Sequence, residues 1–171
     1  MSGDARVLVI DDDPDVSLLT RLQLENAGYD VVEAATAAEG LSRALDTAPD
    51  VVLLDWMLPD GDGIGLLAEL RATPATADVP VIMVTARSHA GDQRAAWEAG
   101  VVDYLTKPFD GRDLLRCVRD AVADPALSRQ EARRRDALER LSGRQVDTDR
   151  LSAVVEHAAD AIVTMSLDGT V

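Results

Sequence analysis

Five short apolar runs recur along the first 124 residues, each rich in Val and bounded by Asp, Gly or Pro: Val7–Ile10, Val31–Val32, Val51–Leu54, Val81–Val84, and Val101–Val102 with Tyr104–Leu105. Continuous runs of this length, without polar alternation, predict strands buried on both faces, as in a parallel sheet. Between them apolar residues return at helical spacing. Pro14 stands where a first-turn proline belongs, ahead of Leu18, Leu19, Leu22 and Leu24, and Ala27–Gly28 closes that helix. Thr36 and Glu39 fit a capping box before Leu41, Ala44 and Leu45. Ile64–Leu70, Arg87–Ala99 ending at Gly100, and Asp110–Ala123 predict three further helices.

Strand and helix alternate five times, with connections that demand right-handed crossovers, so helices must cover both faces of the sheet. The predicted fold class is α/β, a doubly wound five-stranded parallel sheet of (βα)5 order. Ligands of such sheets bind outside the carboxyl ends of the strands, at the switch point. Chemistry is therefore expected just after the first, third, fourth and fifth strands.

Composition adds boundaries to this picture. The 171 residues carry a formal charge of -14 with 47% hydrophobic and 28% charged positions, a globular balance rather than that of a disordered acidic tail. Residues 1–124 hold 10 basic and 23 acidic residues, whereas 125–171 hold 7 and 8, so the composition changes near Asp124–Pro125. The acid surplus disfavours direct nucleic-acid binding and an anionic membrane surface. A single Cys excludes an internal disulfide framework and a cysteine-based zinc site. With no signal-peptide pattern in residues 1–20 and no apolar run long enough to span a bilayer, a soluble, cytoplasmic protein is expected.

The predicted strand ends carry Asp11, Asp12 and Asp13 after the first strand, Asp55 after the third, Thr85 after the fourth, and Lys107–Pro108 after the fifth. Carboxylates gathered at neighbouring tips repel one another, which implies a hard divalent cation. Mg2+ takes oxygen ligands and needs only one or two carboxylates, a requirement that Asp12 and Asp55 meet, with a backbone carbonyl after Asp55. A hydroxyl at Thr85 and an ammonium at Lys107 facing that cation would hold a phosphoryl oxygen, and Asp55 then reads as the nucleophile. Singly each residue has a plainer reading: Asp13 and Thr85 as helix caps, Lys107 as a solvated loop charge. Jointly, at four tips of one sheet, they read as a site. Trp56 reads as surface, Trp97 as core, and Cys117 as a small core or helix-surface residue.

The segments Val7-Leu-Val-Ile-Asp-Asp-Asp-Pro14, Val51-Val-Leu-Leu-Asp55-Trp-Met-Leu-Pro59-Asp-Gly-Asp-Gly63, Val84-Thr-Ala86 and Tyr104-Leu-Thr-Lys-Pro-Phe109 resemble the receiver domain of bacterial two-component response regulators, over about residues 4–124. The resemblance implies a flavodoxin-like receiver over 1–124 in which Asp55 is the phosphoacceptor for a sensor histidine kinase or a histidine phosphotransfer protein. It also implies that Asp11 and Asp12 are the acidic pair of the Mg2+ site, Asp12 being a direct ligand with Asp55 and the backbone carbonyl of Met57. Thr85 and Lys107 correspond to the groups that engage the phosphoryl oxygens. Tyr104 corresponds to the switch aromatic that follows Thr85. Output is then a changed surface on the fourth helix, fifth strand and fifth helix, which with the C-terminal helix is a candidate homodimer face. Such a protein catalyses only its own phosphorylation and dephosphorylation, so it is not expected to be an enzyme.

Alternatives from other classes are a Mg2+-dependent phosphatase or phosphotransferase of haloacid-dehalogenase type, disfavoured because position 57 is Met rather than a second Asp, and a phosphorylation-independent dimerisation module. Gly61-Asp-Gly63-Ile-Gly65 has the wrong spacing for a dinucleotide fingerprint and reads as a turn into the third helix. Residues 125–150 read as a helical linker, for which a dimeric coiled coil and a plain connecting helix both fit. Residues 151–171, with Asp168–Gly169 as a hairpin turn, resemble the opening of a PAS sensory domain. The expectation is a truncated piece of a longer receiver-PAS protein; were the chain to stop naturally at Val171, the tail would be a dimerisation helix with a frayed end.

Overall fold

The computed structural model describes residues 5–86, 90–126 and 134. All of these but Arg134 belong to one compact unit, residues 1–133. The elements are β1 (Arg6–Ile10), α1 (Pro14–Asn26), β2 (Asp30–Ala34), α2 (Ala37–Thr47), β3 (Val51–Asp55), α3 (Gly63–Ala72), β4 (Val81–Thr85), α4 (Ala90–Ala99), β5 (Asp103–Thr106) and α5 (Gly111–Ala123). The PAS-like segment and, apart from residues 125, 126 and 134, the expected linker lie outside the described residues.

The five strands form one parallel sheet in the order β2-β1-β3-β4-β5. The order reverses between β1 and β3, so the switch-point crevice opens between their carboxyl ends. Successive strand residues alternate between two cores. Leu8, Ile10, Val52, Leu54 and Met83 pack with Leu66, Leu67 and Leu70 of α3 and Ala96 of α4. Val7, Val9, Leu53, Ile82 and Val84 pack with Leu24 of α1 and Leu114 and Val118 of α5. Each fully buried Val or Leu stabilises the fold by roughly 1.5–3 kcal/mol relative to an exposed one, which is why apolar runs without alternation form the strands.

Every helix starts at the carboxyl edge of the sheet, and the caps there are mostly acidic. Asp13 accepts from the backbone N–H of Asp15 (3.0 Å) and Val16 (3.3 Å) ahead of Pro14, as expected. Thr36 accepts from Glu39 N (3.1 Å) while the Glu39 carboxylate accepts from Ala35 N (3.1 Å), the reciprocal pair of a capping box. Asp62 caps α3 through Gly65 N (2.6 Å), and Asp110 caps α5 through Arg112 N (2.8 Å).

Three local features differ from the sequence reading. Val101 and Val102 are buried, yet the fifth strand begins only at Asp103. Gly100, at φ +94°, turns the chain out of α4 with Val101 N–H donating to Ala96 O, and Val102 N–H then donates to Val81 O at the start of β4, ahead of the paired strand residues. Burial there was legible; pairing was not. The second difference is a two-residue antiparallel ribbon, Met57–Leu58 against Gly61–Asp62, in the connection from β3 to α3. Trp56, expected at the surface, packs with Trp97 against the α3 and α4 side of the core.

Cys117 is buried in the α5 core, and burial, reinforced by Asp103, pushes its thiol up to about 12. The thiolate is the reactive form. Iodoacetamide at mildly alkaline pH should therefore leave Cys117 unmodified in the folded chain and alkylate it fully in denaturant, as read by intact mass; rapid native labelling would contradict its placement.

Candidate functional site

The register of the sheet builds the site. Ile10 pairs with Leu54, so Asp11 and Asp55 stand opposite one another one step further on, where the sheet ends. The period of two puts both on the face of Val9 and Leu53, and the four residues line one small cavity with Val84 and Thr20 of α1. Both carboxylates are nearly buried, at 6% and 8% exposure, while Asp12 is exposed. One oxygen from each of Asp11, Asp12 and Asp55 lies within 4.8 Å of the others.

Lys107 comes from β5, two strands away from β3. Its backbone N–H donates to Thr85 O (2.9 Å), which continues the Thr85–Thr106 pairing and places the lysine over the tip of β4. From there its ammonium donates to Asp11 Oδ2 (2.5 Å) and Asp55 Oδ2 (2.8 Å) together. The second oxygens are held in the same way on both strands: Asp11 Oδ1 accepts from Asp13 N (3.0 Å), and Asp55 Oδ1 accepts from Met57 N (3.2 Å). Each carboxylate is thus fixed by an amide two residues on and by the one shared ammonium. The Lys107–Pro108 peptide bond is cis.

Three carboxylates against one ammonium leave the cluster formally short of positive charge. Desolvation raises the Asp11 carboxyl above its ordinary 3.8, although Lys107 and the Asp13 N–H pull the other way. Burial by itself would lower Lys107, but hydrogen bonds and charge from Asp11 and Asp55 outweigh it and hold the ammonium above 10.5. Oxygen donors in this number and charge suit a hard divalent cation.

Thr85 ends β4 fully buried, beside the Val84–Asp55 pair. Tyr104 pairs with Met83 and is half-buried against the α3 and α4 core, on the face away from the carboxylates. The structure therefore brings together Asp11, Asp12, Asp55 and Lys107, with Met57 attached through its N–H. Thr85 is linked to Lys107 through the backbone, and Tyr104 is set on the far face, three residues from Lys107. Close packing guards the exit of β3: a Cβ on Gly63 would lie 2.3 Å from Asp55 O. The sequence signalled the residues but not that Lys107 spans both buried carboxylates, because ion pairing across 96 and 52 residues leaves no local spacing.

A doubly wound sheet with this cluster at its switch point defines a receiver-type module of phosphorelay signalling. A profile of the response regulator receiver domain matches residues 7–119, and the chain belongs to that family. Among its relatives, the DNA-binding dual master transcriptional regulator RpaA of Synechocystis is 45% identical over 114 residues, covering 67% of this chain and 47% of RpaA. The transcriptional regulatory protein KdpE of Mycobacterium tuberculosis H37Rv is 43% identical over 116 residues, 68% of this chain and 50% of KdpE. This chain therefore spans about half the length of the curated relatives it matches. The solved receiver domain protein (CheY-like) of Methanospirillum hungatei is 31% identical with a TM-score of 0.67, covering 75% of this chain and 98% of that one. The chemotaxis regulator CheY4 of Vibrio cholerae is 26% identical with a TM-score of 0.65, covering 68% and 98%.

The haloacid-dehalogenase-type enzyme and the phosphorylation-independent dimerisation module find no support in these comparisons. Nor does the expected absence of nucleic-acid binding, since a relative is named as a DNA-binding regulator. The acid surplus speaks only for residues 1–124, and the relatives are about twice as long as the match. No helix among the described residues is long and apolar enough to cross a membrane.

A raised Asp11 means that ionising it costs the folded state: the contribution of its neutral form is present at low pH and is lost as pH rises through 3.8 and the higher folded value. Lys107 carries the same sign in a higher window: its ammonium contributes throughout neutral pH and its contribution is lost only as pH rises above 10.5. In chelator at neutral pH, Asp11→Asn should therefore raise the urea midpoint. Lys107→Met should lower stability by about 1–3 kcal/mol, the cost of leaving buried groups without their hydrogen-bond donor. A lower midpoint in Asp11→Asn would contradict this balance.

Proposed function

We propose that Asp55 accepts a phosphoryl group from the phosphohistidine of a sensor histidine kinase or histidine phosphotransfer protein, and that the chain acts as a switch rather than an enzyme. The carrying observation is the shared ammonium: Lys107 holds Asp11 and Asp55 together at the switch point. In the transfer, an Asp55 oxygen forms the new bond to phosphorus as the bond from phosphorus to the donor's imidazole nitrogen breaks, the electron pair leaving with that nitrogen. The product is an acyl phosphate with more negative charge and more acceptor oxygens than the carboxylate it replaces.

Lys107 is placed to follow that charge, exchanging Asp55 Oδ2 for a phosphoryl oxygen, and the Thr85 hydroxyl supplies a second donor. Asp11, Asp12, Asp55 and the Met57 carbonyl would hold Mg2+, which when bound neutralises charge on the phosphoryl oxygens. Movement of Thr85 toward the phosphoryl group empties space on the face it shares with Met83, and Tyr104 is the neighbour able to fill it. The differential contact biases the surface of α4, β5 and α5 between two states. That surface is the proposed output, acting on a downstream or partner effector or through homodimerisation, with a cytoplasmic location and with the PAS-like resemblance of residues 151–171 marking a second sensory module. The exposed Leu18, Leu19 and Leu22 of α1, a helix that begins just after Asp13, offer the phosphodonor protein an apolar landing surface.

Incubation of the chain with Mg2+ and acetyl phosphate, followed by intact mass, should show one added phosphoryl group that is absent in Asp55→Asn. Persistence of the adduct in that variant would place the acceptor elsewhere. Steady turnover of a generic phosphoester with Mg2+ would favour a phosphatase instead.

A further inference from the structure

The ribbon that leaves β3 carries Met57, whose N–H orients Asp55 and whose carbonyl belongs to the proposed cation site. It has only two pairs, Met57 with Asp62 and Leu58 with Gly61, and a ribbon that short does not hold its own shape in water. Its base is tied by the Gly63 N–H to Trp56 O (2.6 Å), and Leu58 is buried in the core of the α3 face. Its tip, Pro59–Asp60, is exposed. There the Asp60 carboxylate reaches α2 and accepts from two backbone donors, Ala37 N at Oδ1 (2.7 Å) and Ala38 N at Oδ2 (3.0 Å).

The first turn of α2 has its other donors satisfied locally. Glu39 N donates to the Thr36 hydroxyl, and Gly40 N donates to Thr36 O (2.9 Å). Ala37 and Ala38 lie at an exposed helix start where water would serve equally well, so α2 does not require a carboxylate from 23 residues away. The ribbon does require an anchor. The two N–H groups lower the Asp60 carboxyl below 3.8, Ala38 contributing most, and the positive end of the helix favours the charged form.

We propose that Asp60 is a positioning residue for the cation end of the phosphoacceptor pocket: by gripping the amino terminus of α2 with both oxygens, it fixes the ribbon and, through it, Met57 and the Oδ1 side of Asp55. This rests on the reading of the pocket as a Mg2+-dependent phosphoacceptor. Asp60 itself touches neither the phosphoryl group nor the cation.

The test is calorimetric titration of the full chain with Mg2+ alone, below the melting temperature of each variant. Asp60→Ala should weaken Mg2+ binding on the order of tenfold, as for other residues that orient metal ligands. Asp60→Asn, which retains one acceptor oxygen, should fall between it and wild type and serves if the alanine variant folds poorly. Thr36→Ala removes a cap from the same helix without touching the ribbon; it should lower the melting temperature and bind Mg2+ as wild type does. Equal Mg2+ affinity in Asp60→Ala and wild type, or an equal loss in Thr36→Ala, would overturn the inference while leaving the phosphoacceptor reading intact. A wild-type chain that does not titrate with Mg2+ would overturn both.

Discussion

Lys107 donates to Asp11 and Asp55 at the same time, and the carboxyl edge of the sheet is arranged around that shared donor. Two buried carboxylates facing each other are unstable by themselves, and one ammonium does not offset their loss of water: desolvation, with a smaller contribution from the Asp55 charge, holds the Asp11 carboxyl above its ordinary value despite Lys107. The residual negative charge makes the site receptive to a divalent cation, and the positive group between the carboxylates makes it receptive to a phosphoryl oxygen. A cluster optimised for the resting fold would have fewer charges. This one keeps an excess of negative charge that the proposed cation would offset.

The rest of the fold supplies the geometry for that balance. Parallel register puts Asp11 opposite Asp55, the strand order puts both at the switch point, and β5 sends Lys107 across the tip of β4. The carboxylates and Tyr104 belong to opposite faces of the sheet with Thr85 at the edge between them, so in the proposed switch chemistry on one face would be read on the other. Many other acids at this edge have separate work: Asp13, Asp62 and Asp110 cap helices, and Asp60 ties the connection after β3 to α2. Part of the acid in the first 124 residues thus belongs to a charged site and to a row of helix starts that favour anions.

Much of this was legible in the sequence because it is carried by local signals. The five apolar runs, the Pro14 start, the Thr36–Glu39 box and the chemistry-bearing residues at the strand tips are all readable within a few positions. What escaped is non-local or too short for a period to show. A two-residue ribbon cannot display alternation, and Val101–Val102 look like strand because burial and pairing leave the same apolar trace. Trp56 follows the last strand residue, Asp55, and nothing local signals the core that it packs against. The grip of Asp60 on α2 and the bridge from Lys107 to two carboxylates join residues far apart in sequence.

Lys107 is the only lysine in the chain, so 15N-lysine labelling yields a single side-chain ammonium resonance that reports on the central interaction directly. With Mg2+ present, adding acetyl phosphate should move that resonance to a new position as the ammonium leaves Asp55 for the phosphoryl oxygen, with no such move in Asp55→Asn. A resonance that stays in place while intact mass shows Asp55 phosphorylated would contradict the account.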